Sequence, residues 1–333
     1  MTNRLRDLVM TDLFVAPDHV EYRERGGGNA PRLSMPTEYM DDIEAIRAKC
    51  AEIVAQQHVT EFSLQHDNIM YRVGVMEDVD FRRIFVLNRA GGTLPDIATL
   101  GLSDNILKLL RDPNASGLVI IGGSQRNGKT TSANVMTIYR VEQTGTDGVV
   151  LADPPEFDLA GKYGAGRLYV QPVEGVSGYS KAAQRAMRWG MNTMLFGEVR
   201  RRDVAGSTSN AATAFDMAEA GCFVIGTTHG STLVDTILRL IELAADGMSS
   251  LEAARHAVAK ALSVVIHQRL VAVEFPGGRK AGMRVEADVL DLTNAVDSNA
   301  IRNVIRSGQV EQLTGLINAQ RDRDLFHAQR ARG

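Results

Sequence analysis

Eight consecutive residues limit what this chain can fold into more than any other feature: Gly123-Ser124-Gln125-Arg126-Asn127-Gly128-Lys129-Thr130. A glycine, four residues and then Gly-Lys-Thr is the spacing of a phosphate-binding loop, which carries meaning only between a strand and a helix. That context is present: an apolar run at 118–121 precedes the loop, and a helical run starts near Thr131. The glycines let the backbone approach an anion, and the N–H groups of the loop and helix start point at it. Lys129 would place a positive charge on the β- and γ-phosphates, and the Thr130 hydroxyl suits Mg²⁺. The expected cofactors are ATP and Mg²⁺, held by residues 123 to 131. A fortuitous glycine turn is the bland alternative, and the strand–loop–helix context argues against it.

A nucleotide hydrolase also needs a carboxylate for the metal and a group that positions water. Two further strand-like runs end in candidates. Residues 149–152 lead into Asp153-Pro154-Pro155-Glu156, and residues 193–196 lead into Gly197-Glu198. A third run, 222–226, ends in Thr227-Thr228-His229. Ligand groups in open α/β sheets gather at the carboxyl ends of strands. Alone, each carboxylate would be an exposed turn residue and His229 a structural histidine; downstream of the loop, the functional reading dominates.

The alternation of strand-like runs at 118–121, 148–151, 193–196 and 223–226 with helical stretches predicts an α/β sheet with much parallel pairing from about residue 101 onward. Ser103 can cap a short helix ended by Asp112-Pro113-Asn114. Residues 1–97 read as a separate small α+β domain. It has a strand over 12–21, a glycine-rich loop at 26–31, and a helix opened by Thr37. Met40, Ile43, Ile46, Cys50, Ile53 and Val54 share one face of that helix, and strands follow at 61–65, 69–75 and 81–87. The tail from 300 to 328 reads as helical, with frayed last residues.

Composition narrows the class further. Net charge is −3, so no global basic field favours nucleic acid. Arg200-Arg201-Arg202 is the tightest basic run and reads as a subunit contact or a solvated turn. No apolar run approaches the roughly 20 residues of a spanning helix, and the N-terminus lacks a signal-peptide core. A cytoplasmic protein without direct membrane insertion is expected. Cys50 and Cys222 lie outside any metal-ligand spacing and read as buried free thiols.

The ordered motifs resemble the secretion and pilus motor ATPases of the PilT/GspE type, closest to PilT and the DotB-like motors of type IVB secretion and conjugation. The loop at 123–130 corresponds to that family's Walker A. Leu151-Ala152-Asp153-Pro154-Pro155-Glu156-Phe157 resembles its Asp box, Leu195-Phe196-Gly197-Glu198-Val199-Arg200 its Walker B, and Gly226-Thr227-Thr228-His229 its His box. Asp12-Leu13-Phe14-Val15, Phe62-Ser63-Leu64-Gln65 and Tyr71-Arg72-Val73 resemble strands of its PAS-like domain. Ala300-Ile301-Arg302-Asn303-Val304-Ile305-Arg306 resembles its A-I-R-N-L-I-R segment.

The resemblance implies a RecA-like P-loop ATPase domain over 101–333, preceded by a PAS-like domain. It implies that Glu156 is the general base, that Glu198 holds the metal through water, and that His229 senses the γ-phosphate. One or more of Arg72, Arg82, Arg83 and Arg89 would reach a neighbouring subunit's nucleotide in a hexameric ring docked on an inner-membrane platform protein. The segment 300–306 would couple nucleotide state to output. The bland reading of that segment is an amphipathic helix, packed by Ile301, Val304 and Ile305, with Arg302 and Arg306 solvated. The chain departs from the family pattern at Ala152, at Gln125-Arg126-Asn127 inside the loop, and in extra residues around 201–210, where Arg200, Arg202 and Asp203 compete for the R-D pair. Two cysteines cannot build the four-cysteine zinc site of export motors, which favours the PilT/DotB branch.

The expected activity is ATP hydrolysis that powers a type IV secretion or conjugative transfer apparatus. A type IV pilus retraction motor, a RecA-fold DNA translocase or helicase, and a non-hydrolysing nucleotide-binding scaffold are the alternatives.

Overall fold

The computed structural model describes residues 4–24, 31–90, 94–201, 209–274, 280–293 and 296–330. They divide into two units. The first holds the N-terminal residues to 93 together with the segment 153–158, and the second holds the rest. The glycine-rich stretch at 26–30, Arg202 and Asp203, and the last three residues lie outside the described residues.

The first unit is an antiparallel sheet with one long helix. Its strands are β1 (Met10–Val15), β2 (Val20–Glu24) and β3 (Leu33–Ser34), then, after helix α1 (Met40–Gln57), β4 (Glu61–His66), β5 (Ile69–Glu77) and β6 (Arg83–Ala90), in the order β3-β2-β1-β6-β5-β4. The stretch expected as one strand over 12–21 is two. Pro17 has no N–H for a central ladder, so the chain turns, and the Ala16 N–H closes the turn on the His19 carbonyl at 3.0 Å. The apolar stripe of α1 buries Ile43, Ile46, Cys50 and Val54 against the strands. Burial pushes the Cys50 thiol up to about 12, and both cysteines are free and buried, as their settings predict.

The second unit is a mixed sheet covered by helices. After α2 (Asp104–Arg111) come β7 (Gly117–Gly122), α3 (Lys129–Thr144), β8 (Gly148–Ala152), β9 (Gly161–Tyr163), β10 (Gly166–Pro172), α4 (Gly175–Arg188) and β11 (Thr193–Phe196). They are followed by α5 (Ala211–Glu219), β12 (Phe223–Thr227), α6 (Leu233–Ala245), α7 (Leu251–Ala261), β13 (Leu262–Glu274), β14 (Lys280–Asp291), α8 (Ser298–Ser307) and α9 (Leu313–Arg330). The sheet order is β14-β13-β7-β12-β11-β8-β10-β9. The six inner strands run parallel, and β14 and β9 are antiparallel edges. The four expected strands are β7, β8, β11 and β12, and their continuous burial is what parallel strands covered on both faces require. Ser103 sits at the N-cap of α2 without a side-chain capping bond. The tail, expected as one helix, is two, because Gly308 ends α8 in the left-handed conformation (φ 78°).

One buried side chain fixes the helix that follows the loop. Arg140 of α3 is fully buried. Its guanidinium donates to the Thr193 hydroxyl at 3.1 Å and to the carbonyls of Leu109, Leu110, Asp112 and Ala115 at 2.9–3.3 Å. It also lies 3.9 Å from the centre of the Phe223 ring. Burial pulls its pKa down to about 10. Carbonyls at the negative end of α2 compensate the charge, and α3 is thereby tied to α2, β11 and β12.

Candidate nucleotide-binding site

The fully buried strand β7 ends at Gly122, and the loop leaves it through Gly123 (φ 148°) and returns to α3 through Gly128 (φ 75°). A Cβ on Gly123 would lie 2.5 Å from the Gln268 carbonyl oxygen, so only glycine fits there. Arg126, exposed at the loop tip, also adopts a left-handed conformation (φ 62°), which costs a residue with a Cβ about 1–2 kcal/mol. The Lys129 Nζ folds back over the loop and donates to the Ser124 carbonyl at 2.8 Å. Thr130 and Thr131 stand in the first turn of α3, where backbone N–H groups have no helical acceptor. Ser124 and Gln125 are exposed and Asn127 is half-buried.

Two neighbouring strands bring their ends to the same edge. The Thr228 N–H donates to the Ile121 carbonyl at 3.0 Å and ties the His box to β7. The Thr227 hydroxyl donates to the Gly197 carbonyl at 2.6 Å and the Thr228 hydroxyl to the Val199 carbonyl at 3.0 Å, which ties it to the end of β11. With the backbones locked, Glu198 Oε1 lies 3.1 Å from His229 Nε2, and Arg200 Nε lies 3.8 Å from the second Glu198 oxygen. The Asn210 side chain donates to the Glu198 carbonyl at 2.7 Å and accepts from the Arg200 N–H at 2.9 Å. Ala152 packs on Gly197, where a Cβ would meet the Ala152 methyl at 3.1 Å.

A cavity of 540 Å³ opens beside the loop, lined by Ser124, His229, Ser231 and the α6 side that carries Asp235. The Ser231 hydroxyl, and then Thr232, hold the Asp235 carboxyl below the usual carboxylate range. The second unit thus brings Lys129, Thr130, Glu198 and His229 to one edge of its sheet. The glycine cradle, the cation and the bare helix N-terminus fit a phosphate chain, and a hydroxyl with a carboxylate fits a hard divalent cation. Among the described residues, no cluster of three or more His, Cys, Asp or Glu could hold a metal without such a ligand.

Glu156 belongs to the first unit, in a segment anchored where the Ser63 hydroxyl donates to the Pro155 carbonyl. The four arginines of that unit differ in their commitments. Arg89 donates to the carbonyls of Leu8 and Arg6 at 2.7 and 2.8 Å. Arg72 pairs with Glu61 at 2.9 Å, Arg82 with Asp78 at 2.8 Å and Arg83 with Glu77 at 3.4 Å. In the basic run, Arg201 forms a two-point pair with Asp246.

Ala300, Ile301, Arg302, Asn303, Ile305 and Arg306 lie on α8, with Ile301 and Ile305 fully buried. The solvated-arginine reading fails for Arg302. Its guanidinium donates to the carbonyls of Ala259, Lys260 and Leu262, at the end of α7. Burial, and then the nearby Arg306, lower its pKa. The open carbonyls at a helix C-terminus attract a cation. Arg306 donates to Asn303 Oδ1 on its own helix at 3.2 Å.

Sequence reasoning missed the residues that brace the loop from β13. Gln268 is 1% exposed, and its Nε2 donates to the Asn127 carbonyl at 2.5 Å. The Asn127 side-chain oxygen accepts from the Leu270 N–H at 3.2 Å. No short motif marks these residues; the only signal was the Val264-Val265-Ile266 run, which announces a buried strand.

The second unit is thus an α/β fold with a mixed sheet, with the Gly123–Thr130 loop at the end of β7 and the Glu198–His229 pair at the ends of the next two strands, β11 and β12. Residues 56–331 match the Type II/IV secretion system protein family, and the chain belongs to it. The family contains the PilT/GspE-type motor ATPases. A twitching motility protein of Neisseria gonorrhoeae is 23% identical over 78% of this chain and 68% of its own length. The type IV pilus ATPase PilU of Pseudomonas aeruginosa is 27% identical over 70% of this chain and 56% of its own. Among solved structures, the pilus retraction motor PilT with bound ADP superposes with a TM-score of 0.71 at 21% identity, covering 94% of this chain and 87% of that one. The Legionella pneumophila ATPase DotB gives 0.65 at 17% identity, covering 92% and 84%. Both show the same fold.

Proposed function

We propose that this chain is a magnesium-dependent ATPase that works as a homohexameric ring and powers a type IV secretion or conjugative transfer apparatus. The observation that carries the reading is the convergence of Lys129 and Thr130 with the Glu198–His229 pair at one sheet edge. Lys129 and the loop N–H groups bind the phosphates. Thr130 directly, and Glu198 through water, hold Mg²⁺, which neutralises charge on the phosphates when bound. His229 faces the γ-phosphate, and Glu156 orients the attacking water. The second unit is read as RecA-like and the first as PAS-like. Of the four candidate arginines, Arg82 and Arg83 suit a neighbour's nucleotide best. Their surface pairs are weak and exchange readily, whereas Arg89 braces its own unit.

No described helix is long and apolar enough to cross a membrane. From its family, the ring is read as cytoplasmic, docked at the inner membrane through a platform protein. The names of the pilus relatives favour a second reading, retraction of a type IV pilus. Loss of conjugative transfer with intact twitching in a deletion strain supports the first reading, and the opposite supports the second. In vitro, an active site completed by a neighbour requires activity per chain to rise with concentration as rings form. Light scattering with a non-hydrolysable ATP analogue checks assembly in parallel. Full activity of a strictly monomeric chain would sink the ring.

A further inference from the structure

Strands β7 and β13 run side by side as far as the pair Gly122–His267. There β7 bends away into the loop, while β13 continues to Glu274 with β14 on its other side. The edge that β13 would have offered to a longer β7 is taken by the loop itself. Asn127 is gripped twice, by the Gln268 amide on its main-chain carbonyl and by the Leu270 N–H on its side-chain oxygen. On either side of it, Arg126 and Gly128 adopt left-handed conformations, so the chain reverses about Asn127 as a fixed point.

The grip has a consequence for the anion site. The Asn127 carbonyl and the Gly128 N–H share one trans peptide plane and point in opposite directions. A carbonyl held on β13 turns the Gly128 N–H away from β13 and toward the loop interior. We infer that Gln268 is a positioning residue for the phosphate-binding loop: its side-chain amide orients the Asn127–Gly128 peptide, and the β13–β14 ribbon thereby sets nucleotide affinity. The inference rests on the nucleotide reading above and adds a residue outside the loop, 141 positions further along the chain.

A nearby second group supports the placement. A Cβ on Gly128 would lie 3.2 Å from Gln268 Nε2 and 3.5 Å from a Leu270 methyl, so the wall formed by these two side chains sits directly against the plane it orients. A buried amide that served packing alone would have no reason to make its bond to the residue preceding Gly-Lys-Thr.

The test compares wild type with Gln268→Leu and with Gln268→Met, which keeps an unbranched chain of similar length and guards against misfolding. ADP affinity is measured by titration calorimetry, together with KM and kcat for ATP and melting temperature with and without ADP. Loss of one orienting hydrogen bond should weaken ADP binding by roughly three- to tenfold. KM should rise by a similar factor with kcat nearly unchanged, because the contact is equally present in ground and transition states. The melting temperature without nucleotide should move little, and the rise caused by ADP should shrink. In the wild-type chain, ADP should slow hydrogen exchange at the Leu270 amide. Unchanged ADP affinity in a folded variant overturns the inference, as does unchanged exchange at Leu270. A wild-type chain that binds no ADP would remove the nucleotide reading and this inference with it, whereas equal binding by wild type and variant removes the inference alone.

Discussion

Glu198 Oε1 and His229 Nε2 lie 3.1 Å apart, and their contact joins the ends of β11 and β12 beside the loop. Both side chains are partly open to solvent, so the pair adds little to stability, and its value is positional. His229→Ala should therefore leave the melting temperature nearly unchanged and lower ATP hydrolysis on the order of a hundredfold, the usual effect of removing one polar contact to a reacting group. Phosphate release and calorimetry on the same preparation check this. Wild-type turnover in the variant would take His229 out of the site.

Arg302 gives the opposite pattern. It closes the carbonyl end of α7 from α8, and hydrogen bonds from charged groups contribute about 1.5–3 kcal/mol. Arg302→Ala should lower the melting temperature by roughly 5 °C, while Arg306→Ala should shift stability by no more than about 0.5 kcal/mol. Thermal melts of the two single variants separate them. Equal, small shifts would restore the solvated-face reading, and a coupling role for α8 would then rest on Arg306 and Asn303.

Four of the six parallel strands of the second unit, β7, β8, β11 and β12, were legible because each is a short buried apolar run ending in polar residues. The loop was legible because its spacing is fixed by phosphate geometry. The α1 stripe was legible because burial on one side leaves a helical period. Gln268 was not legible: a single amide reaching a carbonyl far away in sequence leaves no local pattern. Arg140 was hidden for a related reason, since the acceptors that surround it are mostly main-chain carbonyls, which leave no mark in the sequence. The β1–β2 hairpin was not legible because Leu13, Val15 and Val20 read as apolar positions of one strand, although Val20 is out of phase with the other two and lies beyond Pro17.

Acid should loosen the first unit through Asp42. Its carboxylate accepts from the Leu5 N–H at 2.8 Å and lies 3.1 Å from His66 Nε2. Burial alone would raise this carboxyl, but the Leu5 and His66 hydrogen bonds outweigh it and hold the pKa below the ordinary Asp value. A depressed folded-state pKa contributes stability that is fully present above the unfolded pKa of ~3.9 and lost as pH falls through the folded one. Wild type should thus be more stable than Asp42→Asn at neutral pH, and the difference should fade below about pH 4. Melts across that range check it. A pH-independent difference would mean that packing, not the charge, holds this corner.

The central claim is that the chain binds ATP through its loop and hydrolyses it with water oriented by Glu156. The most direct measurement is Mg²⁺-dependent phosphate release and ATP affinity, taken together for wild type, Lys129→Ala and Glu156→Gln. Lys129→Ala should lose both affinity and turnover, because the cation on the phosphates is gone. Glu156→Gln should bind ATP as wild type does and release phosphate on the order of a hundredfold more slowly or less, because only water activation is lost. Wild-type turnover in either variant would contradict the account.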